Sequence, residues 1–342
     1  VGVAIKVTGS YTDGQGADES VTSAATSVVA NVNDDPVGLV TISGTAKEDQ
    51  LLAATHNLSD EDGMGEVNYQ WKRGGSSISG AQSATYTLGQ ADVGQAITVT
   101  VSYTDNQNTD ESRTSGATSA VENVNDDPSG SVTISGTAKE DHTLTAVTST
   151  IVDEDGLDIY SYQWYRQLAL VGGATSSSYT LTQADVGHAI TVTVSYTDKQ
   201  STVESLDSDP TVDVENENDV PGGSVTISGS AVEDGVLTAA NTLTDEDVMG
   251  EVSYQWKRGD SDISGANSMT YTLVQADVGQ AITVAASYTD GQGTDESVTS
   301  DPTVAVVNVN DAPGGSVTIS GTAEEDGVLT AANTLTDEDG VG

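Results

Sequence analysis

The sequence has no cysteine and no phenylalanine, and only 10 lysines and arginines stand against 53 aspartates and glutamates. The missing thiols exclude disulfides, thiolate zinc sites, iron–sulfur clusters and cysteine nucleophiles together. The shortage of cations leaves a formal net charge of −43 on 342 residues. A surface that anionic repels phosphate, so no nucleic acid and no anionic membrane is expected as a partner, whereas divalent cations are drawn to it. No apolar run approaches the ~20 residues of a membrane span. The opening VGVAIKVTGSY lacks the basic region and cleavage site of a secretion signal, so this segment is expected to carry no address and no membrane span. Hydrophobic residues make up 35%, which is low but workable for a β protein rich in Gly, Ser and Thr.

What the sequence does have is repetition. NVNDDP at 31–36 returns as NVNDDP at 123–128, NENDVP at 216–221 and NVNDAP at 308–313. The closing residues Pro36, Pro128, Pro221 and Pro313 are 92, 93 and 92 positions apart. Trp71, Trp164 and Trp256 keep the same interval, as do Tyr11, Tyr103, Tyr196 and Tyr288. The expected organisation is the C-terminal part of a repeat over 1–36, full repeats over 37–128, 129–221 and 222–313, and the N-terminal part of a repeat over 314–342. Both ends cut a unit, so a window on a longer array is expected. The prolines should mark the boundaries, because proline cannot donate to a strand ladder and the approach to each is polar.

Within a unit the hydrophobic period is two, which predicts strands. In 37–128 strands are expected over Val40–Ile42, Leu51–Leu58 and Val67–Arg73. A short segment follows near Ile78, then Thr85–Leu88, Ala96–Thr104 and Arg113–Val124. Ile97, Val99, Val101 and Tyr103 alternate with Thr98, Thr100 and Ser102, as a strand with one buried and one wet face requires. Asp62-Gly63 and Gly74-Gly75 supply turns. About seven short strands in a unit of this length suit a two-sheet sandwich that can just support its own core. The expected fold class is therefore all-β, a tandem array of β-sandwich domains.

A Trp in the third strand, followed by the Asp92-Val93-Gly94 corner and the Ile97–Tyr103 strand, resembles the immunoglobulin-like pattern. The cysteine pair is missing, and Ala96 stands where the corner tyrosine would be, which separates the chain from the antibody branch. The x-N-D-x-x-P linkers resemble those of cadherin-like repeats in giant bacterial surface proteins and RTX-type adhesins. That resemblance covers the whole chain. It implies an extracellular, cell-surface location and Ca²⁺ bound at junctions by an acidic residue near the first turn, an Asn-Asp linker and an Asp-x-Asp of the next unit. Glu48, Asn125, Asp126, Asp153 and Asp155 match those elements one by one.

In such a sandwich the first-to-second-strand turn and the Asp-x-Gly corner face the following linker. The second-to-third-strand turn and the last hairpin of the next unit face it from the other side. One junction then gathers Glu48, Asp49, Asp92, Asp126, Asp127, Asp153, Asp155 and Asp198 beside Asn125. The next gathers Glu140, Asp141, Asp185, Asn218, Asp219, Asp245, Asp247 and Asp290, and the third Glu233, Asp234, Asp277, Asn310, Asp311, Asp337 and Asp339. The first linker contributes Asn33, Asp34 and Asp35 with Asp60, Asp62 and Asp105. Ca²⁺ takes roughly 6–8 oxygens in flexible geometry, so two or three ions per junction could share such a set. The plainer reading, solvated Asp-rich turns that keep the chain soluble, applies to any single cluster. Val220 and Ala312 replace the second linker aspartate, so those two junctions are expected to hold Ca²⁺ more weakly.

Other chemistry finds little footing. Asp60-x-Asp62-Gly63 is a fragment of an EF-hand whose twelfth position is Trp71. His56, His142 and His188 fall at unrelated repeat positions, and no enzyme is expected. The tryptophans read as core anchors rather than sugar platforms, and Asn57-Leu58-Ser59 is an isolated glycosylation pattern. The chain reads as the extender of a long bacterial surface protein, stiffened by Ca²⁺, its partners being neighbouring repeats. One rival is a filament in which copies pack laterally or exchange strands. The other is a ligand-binding adhesin module, for which the repeat carrying Leu168 and Leu170 in place of Gly75 and Ser77 is the unit of interest.

Overall fold

The alternating pattern centred on Trp71 builds the first complete sandwich. In the computed structural model, which describes residues 1–340, a hairpin of β1 (Thr8–Thr12) and β2 (Asp18–Thr22) comes first. There follow β3 (Val40–Ser43), β4 (Leu51–His56), β5 (Asn68–Arg73), β6 (Ser76–Ser77), β7 (Thr85–Thr87), β8 (Ile97–Thr104) and β9 (Asp110–Thr114). These pair as a three-stranded sheet, β3-β4-β7, and a four-stranded sheet, β6-β5-β8-β9, every contact antiparallel. Trp71, Ile97, Val99 and Val101 of one sheet meet Val40, Leu52 and Leu88 in one core, and Trp71 is fully buried. The indole N–H donates to the Ser83 carbonyl at 2.9 Å, so the largest core side chain leaves no polar atom unpaired.

The pattern recurs in the next two repeats. Their strands are β10 (Thr133–Ser135), β11 (Thr143–Val147), β12 (Ser161–Arg166), β13 (Ala169–Leu170), β14 (Ser178–Thr180), β15 (Ile190–Thr197) and β16 (Val203–Asp207). After them come β17 (Val225–Ser228), β18 (Val236–Asn241), β19 (Ser253–Arg258), β20 (Ser261–Asp262), β21 (Thr270–Thr272), β22 (Ile282–Thr289) and β23 (Asp295–Thr299). The sheet orders are β10-β11-β14 with β13-β12-β15-β16, and β17-β18-β21 with β20-β19-β22-β23. A final hairpin pairs β24 (Val317–Ser320) with β25 (Thr330–Asn333), and Val341 and Gly342 of the expected 314–342 segment lie outside the described residues. The chain is thus all-β, in immunoglobulin-like sandwiches. By contact density it forms two units: Val1–Val132 with Thr148–Ser161 and Val194–Leu206, and Thr133–Val147 with Tyr162–Thr193 and the chain from Asp207 onward.

Two differences from the sequence reading have physical causes. The last strand was expected over 113–124, but β9 ends at Thr114. Beyond it, side chains take over half of the ladder: the Ser115 and Thr118 N–H groups still donate to the Val99 and Ile97 carbonyls, but the Val99 N–H donates to Ser115 Oγ and the Ile97 N–H to Thr118 Oγ1, both at 3.0 Å. The chain then rejoins the fold by parallel bridges, Val93 to Val121 and Lys47 to Glu122. Asp92, Asp185 and Asp277 were assigned to the metal set. Each is instead fully buried inside its sandwich, at the end of a single 3₁₀ turn. Asp92 accepts from Arg73 Nε at 2.6 Å, the Tyr86 hydroxyl at 2.8 Å and the Gly89 N–H at 3.0 Å. With its oxygens occupied, it has none to offer a metal. Arg166 with Tyr179 and Arg258 with Tyr271 hold Asp185 and Asp277 in the same way.

Non-glycine residues take positive φ in turns along the chain, among them Val248 at φ 70°, and one hairpin holds two in succession. The turn between β12 and β13 places Gln167 at φ 42° and Leu168 at φ 69°, where the sister repeat has Gly74 and Gly75. A left-handed conformation costs a branched side chain about 1–2 kcal/mol that glycine avoids.

Burial alone would raise the Asp185 carboxyl, but Arg166, Tyr179 and Thr182 overcome it and hold its pKa below the ordinary value. A depressed carboxyl contributes stability that is present above its unfolded pKa and lost as pH falls through the folded one. Asp185→Ala should therefore cost about 2–3 kcal/mol at neutral pH, because Arg166 keeps its charge without a partner, and less once the pH falls through the depressed value of the carboxyl. Urea denaturation followed through Trp164, with the other tryptophans changed to Phe, measures this.

Candidate metal centre

The linker is drawn against the first-to-second-strand turn by backbone bonds. The Glu48 N–H donates to the Glu122 carbonyl at 2.9 Å, and the Glu122 N–H to the Ala46 carbonyl at 3.0 Å. Two residues on, the Val124 N–H donates to Glu48 Oε2 at 3.2 Å. The following turn, Asp153 to Gly156, closes on the same linker, where the Asp126 N–H donates to Asp155 Oδ2 at 2.9 Å. Glu48, Asp126 and Asp155 therefore each offer a carboxylate oxygen within 4.8 Å of the other two. Glu48 and Asp155 are each only 2% exposed. Glu140, Asp219 and Asp247 form the same trio in the next repeat, with the Asp219 N–H on Asp247 Oδ2 at 3.0 Å. The third trio is Glu233, Asp311 and Glu338. There the Asp311 N–H donates to Asp339 Oδ2 at 3.0 Å, and Glu338, absent from the sequence-derived set, supplies the third carboxylate.

The electrostatics are those of anions held together without a cation. Burial first, then Asp126, Asp155 and Asp49, push the Glu48 carboxyl above its ordinary value against the pull of the Val124 N–H. Asp126 is raised by desolvation and then by Glu154, Asp155, Asp49 and Asp153. Glu140 and Asp219 are raised in the same way, again with desolvation first.

The remaining residues of the expected set divide by role. Asp60, Asp153 and Asp245 accept from the hydroxyls of Tyr103, Tyr196 and Tyr288 at 2.5–2.6 Å, and from the N–H two residues on. Asp337 caps Asp339 likewise. They shape the turn, and Asp153 adds charge near Asp126. Asp62 Oδ2 accepts from Asn31 and from the Asp34 N–H. Asp49 and Asp141 lie alongside the trios as charges, both at positive φ, as does Asp234. Asn33, Asn125 and Asn218 donate to Glu111, Glu204 and Glu296, and Asn310 donates to the Asp311 carbonyl. These bonds use the amide nitrogens and not the Oδ1 oxygens through which an asparagine would ligate a metal. Asp34, Asp35 and Asp127 are exposed and outside the trios. Val220 and Ala312, where weaker binding is expected, replace a neighbour of the trio rather than one of its members.

Asp105, Asp198 and Asp290 keep one oxygen on two turn N–H groups while the other, buried, has no partner. Asn123 Oδ1, Asn216 Oδ1, Gln90 Oε1 and Gln183 Oε1 are also buried without a partner. The glutamines sit against the trios: Gln90 Nε2 donates to Asp155 Oδ1 at 2.8 Å and Gln183 Nε2 to Asp247 Oδ1 at 2.9 Å. The sequence-derived set holds acids and linker asparagines but not these glutamines, although a Gln-Ala-Asp triplet recurs in every complete repeat. All these donors are hard oxygens, with no sulfur or imidazole among them, and that set fits Ca²⁺.

Among solved structures, the chain is similar to a tetra-tandem repeat in the extending region of a large adhesion protein, at 17% identity and TM-score 0.25, covering 88% of this chain and 82% of that one. It is similar to a Ca²⁺-stabilized adhesin described as helping an Antarctic bacterium reach out and bind ice, at 14% identity, TM-score 0.29 and coverage of 88% and 81%. A titin fragment matches at 11% identity, TM-score 0.23 and coverage of 79% and 98%. No family model and no curated protein matches. Superpositions this loose transfer no function, and the chain's own side chains must carry the reading.

A raised carboxyl contributes stability that is fully present below its unfolded pKa and is lost as pH rises through the folded value. A cation that replaces those protons must release them. Calorimetry in buffers of different ionisation enthalpy should show proton release on Ca²⁺ binding in the ordinary carboxylate range, about pH 4–5, fading as the pH rises above the raised values. Asp126→Ala should weaken binding at its junction more than tenfold through loss of a charged ligand, and Asp127→Ala less than about threefold.

Proposed function

We propose that the chain is a spacer: a run of immunoglobulin-like sandwiches over 37–128, 129–221 and 222–313, flanked by parts of repeats over 1–36 and 314–342, whose junctions are stiffened by Ca²⁺. The observation that carries this reading is the recurrence of one trio, Glu48 with Asp126 and Asp155, then Glu140 with Asp219 and Asp247. Each joins a turn of one repeat, the linker after it and a turn of the next. An ion held by all three would restrain the linker against both repeats. Buried carboxylates with raised pKa values supply the driving force, and neighbouring amide and aspartate oxygens complete the shell.

Near-identical units favour spacing over recognition. The resemblance of the linkers to cadherin-like repeats extends the proposal to a long extracellular protein of a bacterial surface, in the manner of an adhesin extender. Histidines at unrelated repeat positions give no basis for catalysis. No helix among the described residues is long and apolar enough to cross a membrane. A filament of laterally packed copies is disfavoured by the net charge of −43 that each copy brings to the contact.

Removing Ca²⁺ should leave the sandwiches folded, since Trp71, Leu88, Ile97, Val99 and Val101 form a core of their own. The angles between repeats should loosen. Small-angle scattering in Ca²⁺ and in chelator should show a shorter maximum dimension in chelator with unchanged circular dichroism. An unchanged dimension would assign the spacing to direct packing of the domains.

A further inference from the structure

One repeat departs from its sisters on a single face of its four-stranded sheet. Where β5 and β19 carry Lys72 and Lys257, β12 carries Tyr165. Across the hairpin, Lys72 faces Ser77 and Lys257 faces Asp262 with an ion pair of 3.2 Å, but Tyr165 faces Leu170. Gly75 and Asp260 correspond to Leu168, and Thr114 and Thr299 correspond to Asp207. Four changes at adjacent positions thus remove a cation, add two leucines and a tyrosine, and install one anion. Leu168 is held at φ 69° with 88% of its surface exposed, so neither backbone preference nor burial accounts for it.

Tyr165, Leu168, Ala189, Thr191, Thr193 and Asp207 line a concavity of about 640 Å³, and Leu170 lies beside it, paired with Tyr165 across the hairpin. Asp207 is the one charged residue lining it, and its Oδ1 is fixed by the Thr193 hydroxyl at 2.5 Å. The volume lies within the usual range of ligand pockets, roughly 300–1,000 Å³. A single oriented carboxylate beside an apolar wall is complementary to an apolar body that carries one positive charge. Two copies of this chain, each at −43, do not meet that description.

We propose that this groove docks a peptide segment of another protein through aliphatic or aromatic side chains flanking a lysine or arginine, with Asp207 receiving the cation. The array would then be a spacer with one recognition point on an otherwise repetitive surface. The proposal stands apart from Ca²⁺ binding, because no trio residue lines the groove.

The test uses the full chain with isotope-labelled leucine methyls, titrated with a capped tripeptide of one arginine between two leucines, and with the same peptide carrying glutamate instead. The expected result is saturable shifts of Leu168 and Leu170, with the arginine peptide bound roughly fivefold more tightly. Asp207→Thr should abolish that preference, and Leu168→Gly with Leu170→Ser should abolish binding. Those variants carry sister-repeat residues at positions where the sister sandwiches fold. Equal binding of both peptides, shifts spread over all repeats, no saturable shift, or survival of binding in the double variant would each overturn the proposal. Dimerisation lost on Leu168→Gly would also overturn it, by making a second copy the occupant.

Discussion

The structure depends on how 53 carboxylates are accommodated beside 10 basic side chains. A buried carboxylate must be paired, hydrogen-bonded or neutralised, and here the basic residues run out early. The fold uses the arginines of three equivalent strand positions where an acid lies deepest, as in Arg73 with Asp92. Next come tyrosine hydroxyls, as in Tyr103 with Asp60; burial first and Asp60 second push that phenol up, so it stays a donor. Turn N–H groups serve Asp105 and its equivalents through one oxygen each. What remains are the junction trios, for which backbone N–H groups and a glutamine amide supply the donors and no basic residue does.

This gradation explains why residues of one type in neighbouring turns have different roles. Asp92 and Asp155 are both buried aspartates, and both had been assigned to the metal set. Asp92 lies under the sheet, with Arg73, Tyr86 and Gly89 arranged around it. Asp155 faces the linker, where its neighbours are Glu48 and Asp126. One therefore stabilises its own sandwich, and the other is placed where, in the proposed function, a cation would offset the repulsion and restrain a junction. The same turn that buries Asp92 also presents Gln90 to Asp155, so the internal ion pair and the junction share a support.

Repetition also makes departures legible. Three sandwiches with the same alternation and the same Trp-to-carbonyl bond provide internal references. Against them, Tyr165, Leu168, Leu170 and Asp207 stand out as a coordinated change on one face. The proposed spacer role asks nothing of that face beyond solubility, which Lys72 and Lys257 serve on the sister sheets.

Much of the fold was legible in the sequence because it rests on local periodicity. Alternation in Ile97–Tyr103 can bury one face only in a strand, and a tryptophan recurring at a fixed interval between such strands has to be an anchor. The end of the last strand was not legible, because Ser115 and Thr118 replace half of the ladder bonds with side-chain bonds that have no periodic signature. The chemical composition of the candidate site, oxygen-rich and without cations, followed from counting residues. Its membership did not. Which of the acidic residues at a junction meet, that Asn125 turns to Glu204, that Glu338 stands in for Asp339, and that Gln90 joins them all depend on side-chain direction at turns brought together from distant parts of the chain. Sequence spacing constrains where a turn falls, but only the packed backbone decides which way its carboxylates point.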